Sequence, residues 1–165
     1  HRYECYCPTS AIDNVEEQLS ALAQKTEESA WQLEEINAGL GHIEAETVDM
    51  FIPQMLNLQV TGHISFSKGC YTGQEVVARM HYRGKLKRPM YIADIDSSAP
   101  AAGTPLFKAD SEQSVGNIVN AVAIGDACRV LAVCTTDAAA GEVFLGESAG
   151  PSLQFSELPY SLEQD

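Results

Sequence analysis

The spacing of apolar side chains changes character once along this chain. Before about residue 84 it is mostly helical; after Arg83-Gly84 it falls into the short runs typical of strands. Residues 2 to 7 alternate first, and Pro8-Thr9-Ser10 ends that strand-like run. Val15, Leu19 and Leu22 follow at i, i+4 and i+7, one face of a helix, with Asp13 as N-cap and Glu16 three residues on as a capping box. A second helix is predicted over residues 29 to 38, capped by Ser29 and stopped by Gly39. Ala30, Leu33 and Ile36, with Asn37, trace its inner side, and Trp31 falls in the first turn, off that stripe. Residues 41 to 49 read as a loop with short extended pieces. Pro53 suits the first position of a short helix carrying Met55, Leu56 and Leu58, and residues 64 to 66 read as a brief strand. Thr72 and Glu75 form a second capping box, so a third helix is expected to begin at Thr72 and carry Val76, Val77 and Met80 inward.

From there on the pattern is all strand. Residues 90 to 95, 104 to 109, 115 to 123, 128 to 133, 142 to 145 and 152 to 155 form short apolar runs, punctuated by Gly103, Gly125-Asp126, Gly141 and Gly146. Such a series predicts a small antiparallel barrel or sandwich. The fold class is therefore α+β, with a boundary near residues 82 to 88: one domain over 1–84, a β-barrel over 85–165.

Apolar residues make up 45% of the chain, enough to bury a sizeable core. No apolar run approaches the ~20 residues of a membrane span, and the first residues carry no signal-peptide pattern. The chain opens without Met, straight into strand-like alternation, and is expected to be a piece of a longer protein from the cytoplasm. A formal net charge of −13 argues against a whole-surface nucleic-acid binder. The charge is uneven, however. Residues 68 to 88 hold Lys68, Arg79, Arg83, Lys85, Lys87 and Arg88 against Glu75 alone, a net +5 that leaves −18 elsewhere. Such a window is either a solvated basic turn or an anion site for a carboxylate tail, a phosphate or an RNA backbone.

Five cysteines occur, an odd number, and none stand in C-x-x-C spacing, so neither a zinc ribbon nor a secreted disulfide framework is supported. Cys5, Cys7, Cys128 and Cys134 read as small buried hydrophobes in strands. Cys70 differs. It precedes the expected helix start, where unpaired N–H groups favour an anion; Lys68 lies two residues away, and Gly69 and Gly73 flank the sulfur without bulk. That combination suits a reactive thiol or an anion cradle, against the plainer alternative of a packed cysteine in a tight turn. A nucleophile needs a positioned base, and His63 and His81 are the candidates. Trp31, the only tryptophan, is either core packing or a flat wall for a heteroaromatic ring.

The stretch Lys68-Gly69-Cys70-Tyr71-Thr72-Gly73-Gln74-Glu75, followed by Arg79, Arg83-Gly84-Lys85 and Arg88, closely resembles the signature of the YgfZ family. Phe51-Ile52-Pro53-Gln54 with Asn57-Leu58 upstream, and the ending Leu158-Pro159-Tyr160-Ser161-Leu162, match it as well. The family is similar in fold to the glycine-cleavage T-protein aminomethyltransferase: a folate-binding α/β part followed by a C-terminal β-barrel. The resemblance implies that residues 1–84 close a folate-binding domain. It implies tetrahydrofolate or a derivative as cofactor, and a role in iron–sulfur cluster assembly or repair and in tRNA modification that depends on such clusters. Iron–sulfur proteins or their assembly machinery are the implied partners, with tRNA involved at most indirectly and no membrane. Cys70 and Lys68 would supply the chemistry. Trp31, Tyr71, Gln74, Glu75, Arg79 and Arg83 would meet the cofactor, and the basic window its glutamate tail or a nucleic acid. Much of the folate pocket belongs to the family's N-terminal half.

Three functions compete on this reading: a folate-dependent accessory protein, a folate-dependent aminomethyl or one-carbon transferase, and a thiol-based carrier working through Cys70. The first is preferred, as a binding module rather than a turnover enzyme.

Overall fold

The computed structural model describes residues 3–162 of the 165. Arg2, at the start of the predicted first strand, lies outside that range. Residues 3–8 form no strand, and Cys5 and Cys7 are exposed rather than buried. Their alternation has no neighbouring strand to pair with, so it buries neither face. Pro8 accepts the Ala11 N–H at 2.8 Å and starts a 3₁₀ turn, Thr9–Ala11, ahead of the first helix, α1 (Ile12–Ser20). Asp13 thus falls inside the first turn instead of capping it. No residue of α1 is buried; Val15 is half-buried, Leu19 is 50% exposed and Leu22 lies beyond the helix, open to solvent.

The second helix, α2 (Glu28–Asn37), starts one residue ahead of expectation with Glu27 at its N-cap. Its stripe is as read: Ile36 is buried and Ala30, Leu33 and Asn37 are half-buried. Gly39 ends it in the left-handed region at φ 65°, and any side chain there would come within 2.6 Å of the Tyr160 hydroxyl. The loop after it contains a 3₁₀ turn, Ala45–Thr47. The helix expected at Pro53 is replaced by a run of turns over 53–62, because Asn57 takes a left-handed conformation at φ 57° that no α-helix continues. Residues 64–66 pair with nothing and are not a strand. A third helix, α3 (Gln74–Arg83), precedes the sheet.

All six predicted strands are present: β1 (Met90–Ile95), β2 (Pro105–Lys108), β3 (Ser114–Ile124), β4 (Ala127–Cys134), β5 (Val143–Leu145) and β6 (Leu153–Ser156). They form one antiparallel sheet in the order β5-β2-β3-β4-β1-β6. The sheet curls until an isolated bridge joins Phe144 to Ser152 near its two edges, giving roughly a half-barrel. A short helix that the sequence pattern did not predict, α4 (Thr136–Ala139), follows β4, its Thr135 cap accepting the Ala138 N–H at 3.2 Å.

Both faces of the sheet are covered. Cys128, Val130, Ala132 and Cys134 of β4 point to the inner side with Ala93, Ile95, Leu106, Ile118, Val143 and Ala138. Leu131 and Val133 point outward with Met90, Ile92, Val119 and Val122, beneath Ile36 of α2 and Leu56 of the turns. Arg129, on this outer side, grips Asp94 through two hydrogen bonds of 2.7 and 2.9 Å and donates to Asn37 Oδ1 at 2.8 Å, tying β4 to β1 and to α2. No helix among the described residues is long and apolar enough to cross a membrane.

Candidate functional site

The Lys68–Gly73 segment is an exposed loop, with the Cys70 thiol open to solvent. A side chain at Gly69 would meet nothing within 4 Å, so approach to the sulfur from that side is unobstructed. The helix begins later than expected. Gly73, left-handed at φ 87°, stands at its N-cap and no side chain caps it. Gln74 decides this: its Oε1 accepts the Tyr71 N–H at 3.1 Å while its own N–H donates to the Tyr71 carbonyl at 3.3 Å. That closed turn moves the first helical residue two positions past Thr72 and leaves the predicted capping box unformed. Glu75 instead forms an i, i+4 ion pair with Arg79.

Cys70 therefore stands four residues ahead of α3, a turn away from the helix end whose charge acts only over its first turn. The Lys68 ammonium lies over the Tyr71 ring, 5.0 Å from its centroid. The loop thus offers an accessible sulfur beside a cation–π pair, rather than a sulfur seated on a helix terminus.

Only Val77 of α3 is buried; Met80 is half-buried and Val76 is 58% exposed, contrary to the inward position expected of it. The helix is fastened along one narrow edge, where Gln54 Nε2 donates to the Val77 carbonyl at 2.6 Å. At its far end His81 stacks on Phe66 with centroids 3.8 Å apart, and Tyr82 packs edge-on to both rings. Both candidate bases are engaged elsewhere than at Cys70: His81 in this aromatic clasp, His63 with Thr61 Oγ1 at 2.9 Å from its Nδ1.

Trp31, 37% exposed on α2, walls a cavity of about 470 Å³ with Glu28, Glu35, Ile36, His42 and Asn120. An adjoining hollow reaches Glu4, Leu58 and His63. His42 Nε2 lies 3.0 Å from Glu35 Oε1. The wall opposite Trp31 is set by a bulge in β3: Ile118 pairs with Ala132 but Asn120 with Leu131, so Val119 is an extra residue and Asn120 is turned toward the outer side. Asn120 Oδ1 accepts the His42 N–H at 2.8 Å, and its Nδ2 donates to Glu44 Oε1 at 2.7 Å. Neither cavity is lined by any residue of 68–83. The sequence-derived site residues thus fall into two places. Trp31 stands by the β3 bulge. Glu75, Arg79 and Arg83 line a shallow depression on α3 with Tyr82, while Lys68, Cys70, Tyr71 and Gln74 form the loop before it. Glu35, His42 and Asn120 were not singled out from sequence; an asparagine inside an otherwise apolar strand was the one available signal.

Fold and motif together define a class: an α+β chain whose curled antiparallel sheet is preceded by a Lys-Gly-Cys-Tyr loop and a basic helix. No family model matches the chain. It is 37% identical over 169 aligned positions to the tRNA-modifying protein YgfZ of Yersinia pestis (strain Pestoides F) and 39% identical over 168 to that of Enterobacter sp. (strain 638). Each alignment covers 99% of this chain, which spans about half (51%) the length of these curated relatives. Over nearly its whole length the chain is thus similar to the YgfZ family, across about half of each of these relatives.

Proposed function

We propose that this chain forms the C-terminal part of a folate-binding accessory protein that serves tRNA modification and the upkeep of iron–sulfur clusters. One observation carries the folate reading: Trp31 forms an exposed aromatic wall of a cavity rimmed by carboxylates. A pterin ring has a flat π face and adjacent N–H donors along one edge. The indole suits the face, and the Glu35 carboxylate beside His42 suits the edge. The neighbouring Glu28 and Glu44 disfavour folate's anionic glutamate tail, so the ring enters and the tail is left toward solvent. The tRNA part rests on the names of the relatives, and the iron–sulfur part on the motif around Cys70. Exposure of that thiol on an unobstructed loop supports a role in contact with a partner or ligand.

Tetrahydrofolate added to the intact protein is expected to quench the fluorescence of Trp31, the only tryptophan of this chain. Calorimetry should show binding weakened about tenfold or more in Trp31→Ala, the loss of roughly 1.4 kcal/mol of stacking. No quenching, or an unchanged affinity in the variant, overturns the folate reading. Cys70→Ser is expected to leave folate affinity unchanged, since Cys70 lines neither Trp31 cavity, while lowering iron–sulfur-dependent tRNA modification in cells.

A further inference from the structure

We infer that the exposed face running from Lys68 along α3 to Lys87 is a docking surface for RNA with unpaired bases. The inference goes beyond the folate reading and does not depend on it.

The first support is charge that the fold leaves uncompensated. Lys68, Arg83, Lys85 and Lys87 are exposed, Arg79 is exposed but paired with Glu75, and α3 buries only Val77. Elsewhere among the described residues the basic side chains are matched: Lys25 pairs with Glu16, Lys108 with Asp137 and Arg129 with Asp94. Among the described residues Arg83, Lys85 and Lys87 have no such partner. A segment of net +5 on a chain that is otherwise −18 attracts a polyanion to one face while the rest of the surface repels it. The acidic remainder therefore fixes where a nucleic acid touches, rather than preventing contact.

The second support is aromatic. Tyr82 is 70% and Tyr71 43% exposed, both within the basic segment. A lone phosphate or a carboxylate tail is held by charge and has no use for open rings. A nucleic acid with unstacked bases uses both, its phosphates following the cations and its bases lying on tyrosine faces. Tyr82 is held edge-on against His81, and Tyr71 lies under the Lys68 ammonium, so both rings are already oriented. An acidic protein segment would match the charge but not the rings.

Fluorescence anisotropy of a dye-labelled tRNA transcript, titrated with the intact protein at several salt concentrations, tests this. Reversing Arg83, Lys85 and Lys87 to Glu is expected to weaken binding at least about tenfold and to lower the slope of log K against log salt by about 2, as for the loss of three single-strand phosphate contacts. Tyr82→Ala is expected to cost about fivefold or more with the slope unchanged. Lys25→Glu, the same kind of charge change at a cation already paired with Glu16, should alter neither. All these side chains are exposed, and circular dichroism verifies that each variant is folded. The inference is overturned if the transcript does not bind, if the triple reversal leaves affinity and slope unchanged, or if polyglutamate displaces the transcript as well as unlabelled RNA does, which would assign the face to an acidic protein partner. A tetrahydrofolate titration of the same variants keeps the two readings apart, because none of the substituted residues lines a Trp31 cavity.

Discussion

Cys134 is wholly buried at the end of β4, and burial pushes its thiol from the ordinary 9.0 up to about 12. Cys128 is raised for the same reason, while Cys5, Cys7 and Cys70 lie open. The raised group binds its proton more tightly in the folded chain than in the unfolded one. Its contribution is therefore intact below about pH 9 and is lost as pH climbs toward 12, by about 1.4 kcal/mol per unit at most. Urea unfolding at pH 8 and pH 10 should show lower stability at the higher pH, and the drop should shrink in Cys134→Ala, which removes the titrating group without adding bulk to the buried site. An equal drop in the variant would place the pH dependence elsewhere, Tyr91 and Tyr160 being the next candidates since burial raises both.

Two of the blocks that carry the family resemblance meet in space as a latch. Asn57 sits in the turns over 53–62; its Nδ2 donates to the Met90 carbonyl at 2.8 Å and lies 3.2 Å from the Tyr160 hydroxyl, and its Oδ1 accepts the Met90 N–H at 3.3 Å. The Tyr160 hydroxyl in turn donates to the Gly39 carbonyl at 2.7 Å. One buried amide and one phenol thus join the end of α2, the turns, the first residue of β1 and the C-terminal segment. Asn57→Ala removes a partner from buried backbone groups and gives up a residue suited to its left-handed conformation, so it should cost about 2–4 kcal/mol. Tyr160→Phe removes one hydroxyl and should cost about 1 kcal/mol. Denaturant midpoints measure both, and a Tyr160→Phe loss matching that of Asn57→Ala would show that the amide is not the centre of the latch.

Stability in the molecule as a whole resides in the sheet and its two covers. Leu131, fully buried between β3 and β1 under α2, should lose about 2–5 kcal/mol on truncation to Ala. Leu19 on α1 should change stability by less than about 0.5 kcal/mol, since that helix buries none of its residues. Similar losses at the two positions in thermal unfolding would mean that α1 shares the core after all. Function is distributed differently. The Trp31 cavity lies against the outer face of the sheet, whereas the Cys70 loop and α3 touch the rest through Gln54 and the aromatic clasp at Phe66. Substitutions on the exposed side of α3 should therefore act on binding with little effect on folding.

The strands were legible because alternation is local: β1 spans the predicted residues, and the others depart from expectation by at most a residue or two at their ends. The inner stripe of α2 was legible for the same reason, as were the exposure of Cys70 and the motif that carries the family resemblance. What the one-dimensional pattern left open were outcomes that depend on a partner distant along the chain. Cys5 and Cys128 stand in similar strand-like runs, yet one is exposed and the other buried, because only the second has strands on both sides. The start of α3 was misplaced because a side chain, Gln74, reaches back to the Tyr71 backbone. The cavity at Trp31 was invisible because it is built by a bulge in β3, some ninety residues away, that turns Asn120 toward His42. Spacing encodes which faces are apolar; the surface that each face meets is settled when the sheet curls and the turns close over it.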